Sequence, residues 1–143
     1  MIYEKAFTYK PEEYEAEKAS NSYLMSLVAV IAGLPLPLIN LFTTFFFYVS
    51  NKKGTYFVRW HCIQALLTQS FLFMINCIGF GWALVILLGF VTINNLFITY
   101  VMTILIFNLA GFIMTIYSAV QTGKGKHVEW WFFGNLTNTI CMP

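Results

Sequence analysis

The residues of this sequence best suited to chemistry lie in a short run around His61. Gln64 and Thr68 follow at helical spacing and share its helix face, whereas Arg59 points to the opposite side. A histidine here can be a neutral hydrogen-bonding group, a protonation switch or a metal ligand. No Cys-x-x-Cys or His-x-x-x-His spacing accompanies it. We therefore expect a neutral, hydrogen-bonded His61 and neither a metal nor a cofactor, with switching or metal binding as the alternative.

Acidic residues, which general acid–base catalysis needs, are scarce beyond the N-terminal segment. The sequence has no Asp, and Glu129 is the only acid outside the first 18 residues. A carboxylate pair would require the N-terminal segment to reach the face that carries Glu129, which the topology inferred below forbids. A Ser-His-acid triad and a Walker-type phosphate loop are also unsupported. We expect no catalytic residue and predict that the protein is not an enzyme.

The composition is that of an integral membrane protein. Of 143 residues, 59% are hydrophobic and 10% are charged, whereas soluble domains have roughly 25% charged residues. No Asp, Glu, Lys or Arg occurs from Ala19 to Asn51 or from His61 to Gly123. The net charge of +2 is small and dispersed, so nucleic-acid binding is excluded as a prediction. The partner implied by the composition is the lipid bilayer.

The charge-free runs predict an all-α, polytopic transmembrane bundle with three full spans, four being possible. A span needs roughly 20 apolar residues. Pro35 and Pro37 interrupt the first span and predict a kink, with a re-entrant element as the main alternative. The segment Trp82 to Val91 is too short to cross by itself and is either an extension of span two or a re-entrant turn. The predicted spans are Ser22 to Ser50, Tyr56 to Ile78, and Leu96 to Thr122.

The basic residues that flank these spans predict the orientation. With three spans, Lys52 and Lys53 lie on the same side as Lys124 and Lys126, which the positive-inside rule assigns to the cytoplasm. The N-terminus is then outside and the C-terminus cytoplasmic. We divide the chain into a polar tail (1–21), a transmembrane domain (22–126) and an aromatic interfacial tail (127–143), with short surface helices at both termini.

Each predicted span carries one stripe of small and polar residues. Such residues allow close helix contact and hydrogen bonding in lipid. The stripes therefore either face one another inside the bundle or line a polar path or partner surface. Besides His61, Gln64 and Thr68, the candidate functional or helix-contact residues are Asn76 on span two and Asn108, Gly111 and Thr115 on span three.

A family resemblance accompanies these patterns. The run from Phe57 to Leu66 resembles the F-V-x-x-H-x-x-Q-A-L signature of small bacterial membrane proteins similar to the channel-like Tic subunit of the chloroplast inner-envelope protein importer. Gly33 to Leu38 and Ala119 to Lys124 resemble two further features, so the likeness covers residues 20–126. It implies a place in the bacterial cytoplasmic membrane, a role in polypeptide movement, and functional parts for Arg59, His61 and Gln64.

Two functions follow from these expectations. The first is a non-enzymatic membrane subunit that associates with other membrane proteins or with itself, in protein translocation or membrane-protein assembly. The alternative is a homo-oligomeric channel or transporter for a small solute, lined by the stripe of His61, Gln64, Thr68 and Asn76.

Overall fold

The computed structural model describes residues 2–28 and 37–141 of the chain, and these residues are almost entirely helical. Two short strands frame the helices in sequence and pair with each other. The elements are β1 (Ile2–Lys5), α1 (Glu13–Met25), α2 (Pro37–Asn51), α3 (Tyr56–Leu87), α4 (Asn95–Gly123), β2 (His127–Trp130) and α5 (Trp131–Ile140).

Two helices, α3 and α4, are long and apolar enough to cross a membrane. Their most apolar windows have mean hydropathies of 2.1 and 2.2, and only 6% of each window is buried inside the molecule. Helix α4 agrees with the predicted third span, and the Asn94 side chain caps it by accepting from the Phe97 amide at 2.9 Å. Helix α3 continues through Gly79 and Gly81 to Leu87, so most of the segment after Ile78 extends span two rather than forming a separate element.

Helices α1 and α2 enter and leave the bundle at the same end. The Ser20 hydroxyl donates to the Ala119 carbonyl near the end of α4 (2.8 Å), and the Thr43 hydroxyl of α2 donates to the carbonyl of Met25 (2.7 Å). With 13 and 15 residues, each rises only about 20 Å. Residues 52–55 then connect α2 to the start of α3. The prediction of three full spans is not confirmed.

The predicted proline kink falls largely outside this description. Pro35 lies outside the described residues. Pro37 is the first residue of α2, a position where the missing backbone N–H breaks no helical hydrogen bond.

The N-terminal and C-terminal segments form one antiparallel sheet. Ile2 pairs with Trp130, and Lys5 pairs with His127. An odd number of crossings would separate these strands by a bilayer. The prediction that the N-terminus is outside and the C-terminus cytoplasmic is therefore not confirmed, because the paired strands place both segments at the same end of the molecule. Helices are present near both termini, since α1 begins at Glu13 with a Glu12–Glu15 capping box and α5 follows β2. The surface location predicted for the N-terminal helix is not confirmed, because Ala19 and Tyr23 of α1 are buried.

All charged side chains of the chain belong to the end of the bundle that carries the sheet. The Tyr9 hydroxyl ties the N-terminal segment to this end, because it accepts from the Phe57 amide (3.4 Å) and donates to Glu15 (2.9 Å). The opposite end, around the connection from α3 to α4, has no Asp, Glu, Lys or Arg. The molecule therefore has one charged end and one uncharged end.

Single-cysteine labelling in vesicles checks this arrangement. We expect Lys10→Cys and Lys124→Cys to react with a membrane-impermeant maleimide from the same side of the membrane. Ile93→Cys, an exposed position in the connection from α3 to α4, is the matched control and should react only from the other side. Labelling of the first two positions from opposite sides would contradict the paired strands.

Candidate functional site: a buried histidine network

The candidate site lies where β2 packs against the first half of α3. The helical spacing of Phe57, His61 and Gln64 places all three side chains towards β2 and α1. His61 and Gln64 are fully buried, and His127 and Glu129 of β2 are each only 6% exposed. Burial of this many polar groups is stable only if they are hydrogen-bonded.

Gln64 holds the free edge of β2. Its side-chain nitrogen donates to the Val128 carbonyl (3.1 Å), and its side-chain oxygen accepts from the Trp130 amide (3.1 Å). These are the bonds that a further strand would make, and β1 already occupies the other edge of β2. One glutamine thus replaces a backbone strand and attaches the sheet to α3.

From Gln64, a chain of hydrogen bonds runs through both histidines. The Gln64 nitrogen donates to the Tyr23 hydroxyl (2.7 Å), which lies 2.8 Å from His61 Nδ1. His61 Nε2 lies 3.2 Å from His127 Nδ1, and His127 Nε2 lies 3.2 Å from a Glu129 carboxylate oxygen.

The direction of this chain follows from its ends. Because Tyr23 accepts from Gln64, its own proton points to His61 Nδ1. His61 must then carry its proton on Nε2 and donate to His127, and His127 donates from Nε2 to Glu129. Every bond is satisfied when both imidazoles are neutral and Glu129 is ionised. A second proton on either ring would place two N–H groups face to face or reverse the chain.

The Glu129 carboxylate is the charged end of the network. Lys5 of β1 forms an ion pair with it, and Asn138 of α5 donates to it at 3.4 Å while accepting from the Trp60 indole at 2.7 Å. Burial acts to raise the pKa of Glu129, but the hydrogen bonds from Lys5, His127 and Asn138 outweigh it and hold that pKa below its usual value. The carboxylate therefore stays ionised.

Aromatic rings enclose the two imidazoles. The ring centroids of Trp60 and His127 are 4.3 Å apart, those of Phe57 and His61 4.6 Å, and those of Phe7 and His127 4.7 Å. Burial lowers the pKa of His127, against the hydrogen bond and charge of Glu129. This apolar shell favours the neutral form that the hydrogen-bond directions require.

Two parts of the sequence reasoning change here. The argument that the N-terminal segment cannot reach Glu129 is wrong, because β1 brings Lys5 onto that carboxylate. The partners His127 and Tyr23 were missed as parts of the site of His61. Alternate residues of a strand share a face, so a strand prediction would have placed His127 and Glu129 on the same face. A four-residue strand, however, is too short to be recognised from its sequence pattern. Among residues 2–28 and 37–141, no group of three or more His, Cys, Asp or Glu has a geometry that could hold a metal ion.

The other predicted residues form a second polar cluster deeper in the bundle. Asn76 and Asn108 exchange two hydrogen bonds of 3.1 Å between α3 and α4. The polar stripes of α1, α2, α3 and α4 meet there around a cavity of about 60 Å³, lined among others by Ser26, Asn40, Gln69, Asn76, Asn108, Gly111 and Thr115. The stripes thus face one another inside the molecule.

Arg59 and Thr68 lie outside both clusters. Arg59 is partly buried and its charge acts on the Cys141 thiol at the end of α5, so it is not brought to His61. The Thr68 hydroxyl is satisfied by the Gln64 carbonyl at 2.9 Å. What these residues and the other predicted site residues do in function stays a prediction.

Replacement of Gln64 tests the attachment of the sheet. Gln64→Leu leaves the Val128 carbonyl and the Trp130 amide buried without partners, at about 1–3 kcal/mol each, so we expect a loss of roughly 2–6 kcal/mol in unfolding free energy, measured by denaturation in detergent. Gln121→Leu is the matched control, because the Gln121 side-chain oxygen is buried without a partner among the described residues. Equal effects of both variants would contradict this role of Gln64.

The histidine network predicts a stability that falls on acidification. The pKa of His127 is lower in the folded state than its ordinary value of 6.5, so the unfolded chain takes up a proton that the folded chain does not. This contribution is fully present above about pH 6.5 and is lost below it, by up to about 1.4 kcal/mol per pH unit for one proton. Unfolding curves between pH 7.5 and 5 measure it. His127→Gln should flatten this dependence, and an unchanged slope would argue against it.

Comparison with known proteins identifies a family for this fold and site. The model of the magnetosome magnetite crystal formation protein family (MamF/MmsF) matches residues 19–136, most of the chain. No curated protein and no solved structure matched it. The chain belongs to the magnetosome magnetite crystal formation protein family. This corrects the resemblance to the Tic-like family, and with it the expected role in protein translocation, neither of which the comparison supports.

Proposed function

We propose that this chain is a non-enzymatic integral subunit of the magnetosome membrane, which supports magnetite crystal formation by associating with other membrane proteins or with copies of itself. The observation that carries the proposal is the family match over residues 19–136, which includes both α3 and α4. Composition and structure support its membrane part, because these two helices are long, apolar and hardly buried.

The surface far from the sheet favours a lipid or protein environment. In that half, α3 and α4 pack mainly on each other, through the Asn76–Asn108 pair and the contacts of Trp82 with Phe97 and Tyr100. Large apolar side chains remain exposed there, including Phe80 (71%), Leu87 (82%) and Leu96 (72%). Exposed apolar surface of this extent is unfavourable in water and favours lipid tails or partner helices.

The arrangement we propose in the membrane has two complete crossings. Helices α3 and α4 cross, and α1 with α2 forms a re-entrant hairpin that reaches about half as far. The shared sheet favours this even number of crossings over the expected three. All eight Lys and Arg residues stand at the sheet end, so the positive-inside rule favours a cytoplasmic location for both termini.

The stripes of small and polar residues no longer support the proposed association with other membrane proteins or with copies of the chain. They face one another around Asn76, Asn108 and Thr115, so they are used within the chain. The exposed outer faces of α3 and α4 are the remaining surface for a partner. A solute path remains the second candidate because the 60 Å³ polar cavity lies inside the bundle, and solute flux into reconstituted vesicles would favour it.

Deletion of the gene in a magnetite-forming bacterium that carries it tests the proposal. We expect smaller or fewer crystals by electron microscopy, with recovery on complementation. Phe80→Glu should fail to complement, because a carboxylate in lipid costs about 2.5–3.5 kcal/mol. Lys53→Gln, at the charged end, should succeed.

Crosslinking in mild detergent then identifies what the chain binds. A defined partner or a specific oligomer on α3 and α4 is expected. Normal crystals after deletion, or a chain that fractionates away from magnetosome membranes, would refute the proposed function.

A further inference from the structure

An apolar groove runs between α3, α4 and the start of α5. Its volume is about 240 Å³, and its lining includes Phe71, Leu72, Phe107, Ala110, Met114 and Phe133. Ala110, with only a methyl group, and Gly111, with no side chain, leave the space. The Phe71 and Phe133 rings, whose centroids are 5.6 Å apart, join α5 to α3. The groove therefore lies on two membrane helices and is covered by aromatic residues.

This groove opens on the lipid-facing side of the two apolar helices. Ala110 and Phe107 are exposed, and so are Trp131 (67%) and Phe132 (62%) at the start of α5. In the arrangement proposed above, the medium at this opening is hydrocarbon. Hydrocarbon chains fill such a space without the cost of desolvating polar groups.

A polar cavity of about 230 Å³ adjoins the groove towards the sheet end. It shares Trp130 and Trp131 with the groove, and its remaining lining residues are Tyr3, Lys5, Glu129 and Asn135. The Lys5 side chain is 52% exposed although it pairs with Glu129, and an ammonium group has three donors. Lys5 can therefore donate to a second anion from this cavity.

The order of the two cavities along the protein fits one amphipathic molecule. The polar cavity lies beside β1 and β2 at the charged end, whereas the groove follows α3 and α4 through Phe71 and Phe107. The cationic group thus lies towards the water and the apolar groove towards the membrane interior. Trp131 stands between them, at the level where tryptophan is enriched in membrane proteins.

We propose that the two cavities form a binding site for one glycerophospholipid, with an acyl chain in the groove and the phosphate at Lys5. The proposal rests on the membrane location in the proposed function. The charge of Lys5 and the tryptophans shared by the two cavities favour a phospholipid over a partner helix, which would fill the groove but leave the polar cavity unused.

Photocrosslinking in vesicles tests the site. The full chain is reconstituted in phosphatidylethanolamine and phosphatidylglycerol, with a diazirine on an acyl chain of the latter, and crosslinked peptides are quantified by mass spectrometry. We expect enrichment on residues 107–114 and 131–133 over residues 80–87, which are also exposed to lipid.

Two sets of variants separate the site from general lipid contact. Ala110→Phe fills the groove and should reduce labelling to the level of residues 80–87, Ala110→Leu should give a smaller loss, and Leu109→Phe, at an exposed neighbour outside the groove, should leave labelling unchanged. Lys5→Gln should lower the enrichment, whereas Lys10→Gln removes an exposed cation of the charged end that lines neither cavity, and should preserve it.

The outcomes distinguish this inference from the proposed function. Uniform labelling by a chain that floats with the vesicles would overturn the lipid site alone. Crosslinks in the groove to a second copy of the chain would overturn it in favour of a dimer. A chain that does not float with vesicles would overturn both the site and the membrane location.

Discussion

The amide of Gln64 is the interaction on which the charged end of this protein depends. Strand β2 has four residues and one backbone partner, the equally short β1. Two strands of this length are marginal in isolation. By completing the second edge of β2 and donating to Tyr23 as well, Gln64 places the sheet on α3 and α1 at once. The positions of Lys5, His127, Glu129 and α5 follow from that attachment.

The histidine network shows how polar groups are accommodated next to apolar helices. His61 and His127 each have a partner at both ring nitrogens, and the one charge of this chain of bonds, on Glu129, is balanced by Lys5. Neutral imidazoles with defined donor directions avoid the cost of a buried cation. The network thus joins three parts of the chain that are far apart in sequence.

The long helices could be predicted well from local features of the sequence, but contacts between distant parts of the chain could not. Helix α4 was located within a residue or so because Asn94 and the Gly123–Lys124 pair mark its ends. The passage of α3 through Gly79 and Gly81 was one of two alternatives that the sequence left open, because glycine weakens helices in water, whereas in lipid an open backbone costs more than a glycine does. The two strands pair across 124 positions, and no local pattern reports such a pairing.

The separation in sequence of segments that are in contact also explains which residues of the site were missed. His61 and Gln64 were identified from helical spacing, and the neutral, hydrogen-bonded His61 agrees with the network geometry. Their partners come from α1 and β2, and the predicted separation of the N-terminal segment from Glu129 removed Lys5 from consideration. The polar stripes were recognised because periodicity is local; their mutual contact depended on α1 and α2 folding back.

The half-length of α1 and α2 has a geometric consequence in a bilayer. Near the sheet, the chain presents four helices with α5 beside them, whereas beyond Asn76 and Asn108 the described residues present only α3 and α4. In the two-crossing arrangement proposed above, the described residues would therefore occupy more area in one leaflet than in the other, and each copy would displace more lipid on the charged side.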